Sequence, residues 1–197
     1  MIRIITDSAA DLTPQEQAQP GVMVVPMAIT FEDGSSIEDD GQMTKDEFFR
    51  RLATDSKLPR TSQPSPAAFI DAYTEAELAG DEAIVITVGQ KLSGTFQCAT
   101  MAANDVDTAI YVIDSETATQ GEAVLVREAL RLRDTGLSAA QIADALELFK
   151  KRIRIVAVVD SLKHLQKGGR VPAAVAIVGG ALGIKPVIGL YESTVKL

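Results

Sequence analysis

Short apolar runs rich in β-branched residues alternate with helical patterns along the chain. Such runs, bounded by polar or turn-forming residues, are typical of buried strands. The predicted strands are Ile2 to Thr6, Val22 to Val25, Met27 to Phe31, Ile84 to Val88, Ala109 to Ile113, Ile153 to Val159 and Ile184 to Leu190. Strands that alternate with helices favour an α/β fold with a mostly parallel sheet and flanking helices.

Capping residues mark the starts of three predicted helices. Thr44 with Glu47, and Ser138 with Gln141, have the spacing of a capping box, in which two side chains satisfy free N–H groups at the helix start. Ser65 stands before a proline, and proline suits the first position of a helix. We therefore expect Thr44, Ser65 and Ser138 to be N-caps.

Three of the predicted strands end in the same pair of polar residues. The pairs are Asp7-Ser8, Asp114-Ser115 and Asp160-Ser161. If the three strands lie in one parallel sheet, the pairs meet at its carboxyl edge, where open α/β folds bind their ligands. The alternative is that each pair forms a local turn or cap for the next element. The sequence supports both interpretations.

Composition limits the classes of function. The 197 residues carry 19 Lys and Arg against 27 Asp and Glu, a net charge of −8, which argues against nucleic acid or an anionic membrane as the main partner. No window is apolar enough for a membrane span. The one cysteine, Cys98, cannot form an internal disulfide, and the first residues lack a signal-peptide pattern. We therefore expect a cytoplasmic protein.

The stretch GQKLSGT, from Gly89 to Thr95, is close to a phosphate-binding loop. It has both glycines and the hydroxyl residue of G-x-x-x-x-G-K-[ST], but no lysine stands between Gly94 and Thr95. A helix that begins near Thr95 would direct free N–H groups at an anion, with Ser93 as a further donor. On these residues alone, the interpretation of Ser93 as a plain N-cap is favoured over an anion-binding role.

Enzymatic alternatives rest on little in the sequence. A phosphate- or nucleotide-binding enzyme that uses the Gly89-Thr95 loop stays open, although the missing lysine weighs against it. Hydrolase chemistry lacks support because Ser93 has no G-x-S-x-G elbow. His164 is expected on a helix surface and Cys98 is expected to be buried. Asp7 and Asp11 lack a third ligand, so no metal site is predicted.

Six motifs in a fixed order resemble the DegV family, a class of fatty-acid-binding proteins. They are Ile4-Ile5-Thr6-Asp7-Ser8 with Asp11-Leu12, Thr61-Ser62-Gln63-Pro64-Ser65, Leu92-Ser93-Gly94-Thr95-Phe96-Gln97, Val112-Ile113-Asp114-Ser115, Leu165-Gln166-Lys167-Gly168-Gly169-Arg170 and Gly183-Ile184-Lys185-Pro186. The resemblance extends over essentially the whole chain. It implies a DegV-like N-terminal α/β domain over residues 1–155 and the start of a second α/β domain, which binds lipid, over residues 156–197.

The resemblance assigns the ligand and its contacts. In this family a threonine and a serine hold the carboxylate of a long-chain fatty acid, and these fall on Thr61 and Ser93, with Ser62, Gly94 and Thr95 as supporting residues. A carboxylate needs hydroxyl and backbone donors but neither lysine nor magnesium, which matches a phosphate loop without its lysine. No cofactor and no metal is implied.

The acyl tail is expected to occupy a tunnel between the two domains. A buried CH₂ contributes roughly 0.8 kcal/mol, so a palmitate-sized tail would gain on the order of 10 kcal/mol before the ordering cost of binding. The apolar run from Ala173 to Val178 is suitable lining. By the same resemblance the protein is a bacterial carrier in fatty acid metabolism. It would present the bound acid to a separate fatty-acid kinase, with Lys167 and Arg170 as the docking residues.

A third interpretation is a shortened, non-binding scaffold. Family members continue well beyond Gly183-Ile184-Lys185-Pro186 and contribute a histidine to the carboxylate network, whereas this chain ends at Leu197. In that case the strand at 184–190 would be an exposed sheet edge, which favours self-association.

Overall fold

The computed structural model describes residues 1–171 and 185–196, with the backbone alone for Tyr191. The strands and helices follow one another in the order β1 (Ile2–Asp7), α1 (Pro14–Gln17), β2 (Val22–Val25), β3 (Ala28–Thr30), β4 (Ser36–Glu38), α2 (Lys45–Thr54), β5 (Arg60–Ser62), α3 (Pro66–Leu78), β6 (Glu82–Thr87), α4 (Thr95–Ala102), β7 (Ile110–Asp114), α5 (Gln120–Asp134), α6 (Ala139–Phe149), β8 (Ile155–Val158), α7 (Lys163–Lys167), β9 (Val187–Tyr191) and β10 (Thr194–Lys196).

A four-stranded parallel sheet forms the centre of the fold. Its strand order is β2-β1-β6-β7, and every pairing is parallel. Side chains on the central strands alternate between the two faces, so Ile4 and Ile84 join the cluster formed with α5 and α6, whereas Ile5 and Val85 join the cluster formed with α3 and α4. All four are fully buried. The predicted α/β fold, with a parallel sheet between helices, is confirmed.

Two antiparallel three-stranded sheets accompany the parallel sheet. Their strand orders are β4-β3-β5 and β10-β9-β8. The strand predicted at 184–190 is β9, which pairs with β8 on one side and β10 on the other. The expected exposed edge at this strand is therefore wrong. The strands β4, β5 and β10 were not predicted, because each has only three residues, mostly polar, and none lies in an apolar run as β3 does.

The three Asp-Ser pairs do not meet at one edge. Asp7 and Asp114 end strands of the parallel sheet, but Asp160 follows β8, which belongs to an antiparallel sheet. The Asp160 carboxylate is exposed and pairs with Lys185 at 2.8 Å. The shared-edge prediction thus holds for two pairs and is wrong for the third, since a dipeptide after a strand does not specify which sheet the strand joins.

The N-caps predicted at Thr44, Ser65 and Ser138 are all observed. The side chains of Ser65 and Ser138 accept N–H groups in the first turns of α3 and α6, and Ser138 forms the full capping box with Gln141. Thr44 accepts from the Glu47 N–H, but the Glu47 carboxylate accepts from Arg50 rather than from the Thr44 N–H. A surface arginine one turn away thus competes for the second half of that box.

The boundary predicted between residues 155 and 156 falls at the start of β8 and stays a prediction. The tunnel lining expected at Ala173 to Val178 lies outside the described residues. Within residues 1–171 and 185–196, no helix has both the length and the apolar character to cross a membrane.

A carboxyl group is buried in the first turn of α5. Glu122 is fully buried; its Oε1 accepts from the Thr6 hydroxyl at 3.0 Å, while Oε2 has no hydrogen-bond partner. Burial raises the pKa of Glu122 well above its ordinary value, and the charges of Asp7 and Asp114 add to the shift. Folding therefore favours the protonated form of this side chain.

We expect Glu122→Gln to stabilise the protein at pH 8. Because the folded pKa lies above the unfolded one, the wild-type carboxyl contributes less to stability as pH rises from the unfolded pKa through the folded pKa. The neutral amide lacks this loss and can still accept from Thr6. The melting temperature should exceed that of wild type by a few degrees at pH 8, roughly 2–4 °C per kcal/mol, and the difference should shrink towards pH 4.

Glu128→Gln on the same helix is the matched control. A hydrogen bond from Arg131 lowers the pKa of Glu128, so this carboxylate stabilises the fold above its unfolded pKa and its removal should lower the melting temperature at pH 8. An equal, pH-independent shift in both variants would contradict the assignment of Glu122.

Candidate carboxylate-binding site

Two aspartates hold the start of the loop at residues 89–95. The Asp7 carboxylate accepts from the backbone N–H of Val88 at 2.9 Å and from that of Ala9 at 2.9 Å. The Asp114 carboxylate accepts from the N–H of Gln90 at 3.0 Å. Burial raises the pKa of Asp7 to about 6, although the two N–H bonds oppose the shift. The Asp side chains at the sheet edge therefore position backbone rather than face a ligand.

A hairpin from the second antiparallel sheet contacts the same loop. Its two turn residues, Glu192 and Ser193, both have φ of 54°, the left-handed conformation that a two-residue turn of type I′ requires. The Glu192 carbonyl accepts from Lys91 Nζ at 3.3 Å. Ser193 is buried, and its Oγ would lie 2.6 Å from a Cβ at Gly89. Only glycine at position 89 allows this approach.

The Arg170 guanidinium contacts the middle of the loop. Its Nε donates to the Leu92 carbonyl at 3.1 Å. Lys167, the other predicted docking residue, is exposed at the end of α7. The basic segment 167–170 is therefore adjacent to the loop, and Arg170 contacts it directly.

Helix α4 begins without a side-chain cap. Gly94 is its N-cap residue, no side-chain hydrogen bond caps the first turn, and the first turn contains no acid. Ser93 is not the N-cap, so that interpretation is wrong. The Ser93 hydroxyl instead lies 2.9 Å from the Thr95 hydroxyl, and Thr95 is fully buried. Free N–H groups and the positive end of the helix dipole at this start would favour an anion.

The second predicted contact, Thr61, lies on a separate strand. Thr61 and Ser62 belong to β5, where they pair with β3 and are exposed. The next residue connects this strand with α4. The amide nitrogen of Gln63 donates to Cys98 Sγ at 2.8 Å, and its Oε1 would lie 2.2 Å from a Cβ at Gly94. The structure thus brings the Thr61 and Ser93 segments into contact through Gln63.

Thr61 borders a large cleft lined by apolar and basic side chains. The cleft has a volume of about 990 Å³, at the upper end of the range for ligand pockets. Its apolar walls include Ile29, Phe31, Phe48, Leu52 and Leu58. Its basic lining residues are Lys57, Arg60, His164, Lys167 and Arg170. A cleft lined by both apolar and basic side chains suits an amphiphile with an anionic head.

The remaining candidate groups have structural surroundings. Cys98 is buried in α4 and His164 is exposed in α7, both as expected. In the part of the chain that the structure describes, no three His, Cys, Asp or Glu residues are placed to hold a metal ion.

Two features of the site were not predicted. Gln63 was part of a motif but had no predicted role. Nothing in the neighbouring sequence indicates that its amide contacts Cys98, 35 residues along the chain. The turn at Glu192 and Ser193 lacks the Asn-Gly or Gly residues that normally indicate a type I′ hairpin.

Sequence comparison matches the whole chain, residues 1–197, to the model of the DegV family, described as uncharacterised proteins. A DegV domain-containing protein of Caldanaerobacter subterraneus subsp. tengcongensis is 36% identical over 197 residues, which are 100% of this chain and 70% of the relative. Another from Deinococcus radiodurans is 36% identical over 187 residues, 95% of this chain and 66% of the relative. The chain thus spans about two thirds of the length of these relatives.

Solved structures of this family have the same fold. A DegV family protein from Thermus thermophilus, described by its fatty acid binding, superposes on this chain with a TM-score of 0.89 at 34% identity. The superposition covers 99% of this chain and 69% of the Thermus chain. A stearic acid-binding protein from Eubacterium ventriosum gives 0.91 at 32% identity, with 100% and 69% coverage. DegV of Bacillus subtilis, a fatty acid binding protein, gives 0.86 at 30% identity, with 98% and 69% coverage.

Gly94→Ala should displace the Gln63 amide and uncover the Cys98 thiol. The new methyl group would overlap Oε1 and Cδ of Gln63, whose side chain must then move away from Cys98. Because the chain has one cysteine, the rate of thiol labelling by Ellman's reagent reports the accessibility of Cys98 alone. We expect labelling to accelerate several-fold.

Gly89→Ala is the control for that measurement. It adds the same methyl group to the same loop, but the methyl would press on Ser193 and Thr117 instead of Gln63. Its labelling rate should stay near that of wild type. Equal acceleration in both variants would mean that general loosening of the loop exposes Cys98.

Proposed function

Because the chain belongs to the DegV family, we propose that it binds a long-chain fatty acid and holds the carboxylate between Thr61 and Ser93. The observation that carries the proposal is the uncapped, acid-free start of α4, which Gln63 connects to the Thr61 strand. Gly94 lets the backbone approach the ligand, and Ser62 and Thr95 flank the two principal hydroxyls. The fatty acids carried by the structural relatives support this choice of ligand.

Neutral donors suit a carboxylate better than a phosphate chain. A carboxylate has one charge and two acceptor oxygens, which two hydroxyls and the helix N–H groups can satisfy. Nucleotide phosphates call for a lysine at the loop, but the Lys91 amine donates to the Glu192 carbonyl. The loop geometry therefore favours the fatty acid over the nucleotide alternative.

The acyl tail occupies a tunnel between the units at 1–155 and 156–197 in this proposal. The apolar walls of the cleft beside Thr61 support a tail that begins there.

The proposal makes the protein a cytoplasmic carrier rather than an enzyme. The Ser93 hydroxyl has Thr95 as its neighbour rather than a base, so it is placed to donate a hydrogen bond and not to attack. A separate fatty-acid kinase would act on the presented carboxylate. The exposed basic residues Lys167 and Arg170 in the cleft lining support a docking surface for an acidic partner.

Thr61→Val and Ser93→Ala should each weaken binding of palmitic acid by roughly tenfold to a hundredfold. Each removes one hydrogen bond to a charged group, worth about 1.5–3 kcal/mol, and leaves the apolar contacts in place. The first measurement is native mass spectrometry of purified protein with solvent extraction of bound lipid. The second is titration of delipidated protein with palmitic acid.

Thr100→Val is the matched control, because its hydroxyl lies on the same helix and donates to the Phe96 carbonyl within the helix. It should bind like wild type. If wild type carries no lipid and does not bind palmitic acid in titration, this chain does not act as the proposed carrier, and the scaffold interpretation gains support.

A further inference from the structure

The Gln63 side chain connects the two parts of the fold that carry the two proposed hydroxyls. On one side is β5, a three-residue exposed strand that pairs only with β3 in its sheet. On the other side is α4, which the α3 side chain of Tyr73 fixes by donating to the Ala99 carbonyl at 3.1 Å in the core. The Thr61 strand is therefore weakly held, whereas α4 is firmly held.

Both the nitrogen and the oxygen of the Gln63 amide lie against α4 or its N-cap residue. The nitrogen donates to Cys98 Sγ, which lies in the first half of the helix, and the oxygen lies where any side chain at Gly94 would have to be. Gly94 has an ordinary φ of −77°, so its backbone does not require glycine. The close approach of the Gln63 amide is what excludes a larger residue there.

The neutral amide has the right chemistry for this place. It supplies a donor to the sulfur, which is an acceptor, without placing a charge beside a bound carboxylate. A glutamate would lack the donor and would repel the ligand, and an asparagine would be one methylene shorter.

We propose that Gln63 is a positioning residue that fixes the distance between the Thr61 and Ser93 hydroxyls, so that both can bind one carboxylate. The inference rests on the proposed function, and it explains how the site would prefer a carboxylate to other head groups. Without the Gln63 hydrogen bond, β5 is no longer connected to α4. The Thr61 and Ser93 hydroxyls then no longer bind the two oxygens of the same carboxylate. The apolar cleft remains, so affinity for the tail should survive while preference for the carboxylate declines.

The test compares two ligands with the same tail, palmitic acid and 1-hexadecanol, in titrations of delipidated wild type and Gln63→Ala. We expect palmitic acid to bind roughly fivefold to tenfold more weakly to the variant, the effect of one hydrogen bond, with 1-hexadecanol within twofold of wild type. Unchanged palmitic acid affinity would overturn the inference. An equal loss for both ligands would also overturn it, because that is the effect of general destabilisation.

Cysteine variants test the same bond from the other side. Cys98→Ser keeps an acceptor for the Gln63 amide and should retain the wild-type ratio of the two affinities. Cys98→Val has a similar volume but no acceptor and should behave like Gln63→Ala. If valine and serine give the same ratio, the bond to position 98 does not set the specificity.

A double variant separates positioning from packing. Gly94→Ala alone should reduce the palmitic acid preference, because it displaces the Gln63 amide. In the Gln63→Ala background there is no amide to displace, so the loss in the double variant should be smaller than the sum of the two single losses. Additive losses would count against the inference.

These outcomes are distinct from failure of the proposed function. If wild type binds no palmitic acid, the carrier proposal and this inference fall together. If Thr61→Val and Ser93→Ala lose binding but Gln63→Ala keeps the full carboxylate preference, only the role of Gln63 is wrong.

Discussion

The packing of the Gln63 amide on Gly94 and Cys98 is the constraint on which the candidate site depends. The two hydroxyls proposed to hold the carboxylate come from segments with different anchors. Ser93 precedes a helix packed on the central sheet, whereas Thr61 lies on a small sheet in which β5 is exposed throughout. A shared site needs a fixed distance between them, and a side chain that bonds to one segment and belongs to the other provides it.

The electrostatics of the site separate neutral donors from charged groups. Near the proposed carboxylate, the donors are hydroxyls and helix N–H groups. The acids beneath the loop are bound to backbone N–H groups or are held towards their protonated form, because burial raises the pKa of Asp7 and Glu122. Several basic side chains line the cleft beside Thr61. In a chain with net charge −8, this local excess of positive charge can attract anionic ligands or partners without binding polyanions tightly.

Sequence patterns predicted the parts of the fold that local rules determine. The parallel strands appeared as β-branched runs, and Ser65 and Ser138 appeared as caps, because alternation and capping depend on near neighbours. The short strands β4 and β5 lacked such a pattern. Asp160 was grouped with Asp7 and Asp114 although its strand belongs to another sheet, since strand partners are chosen by long-range packing.

The candidate site was predicted unevenly for the same reason. The family resemblance supplied Thr61 and Ser93 as the carboxylate contacts, and the structure brings their segments together. It could not supply the Gln63 bond to Cys98 or the Ser193 contact with Gly89, which exist only after distant segments fold together. Ser93 was interpreted as the N-cap of α4 from its position alone. The N-cap residue is instead Gly94, one residue later, and no side chain caps the helix.

The hairpin turn at Glu192 and Ser193 has a thermodynamic consequence for the loop that it contacts. Its bond to Lys91 joins residues 101 positions apart, so association of the second antiparallel sheet with the central sheet and the conformation of the loop form one coupled equilibrium. Linkage is reciprocal: an anion that binds the loop more tightly when the hairpin is docked must strengthen the docking by the same factor. A ligand bound at the start of α4 would then also stabilise the association of the second antiparallel sheet with the central sheet.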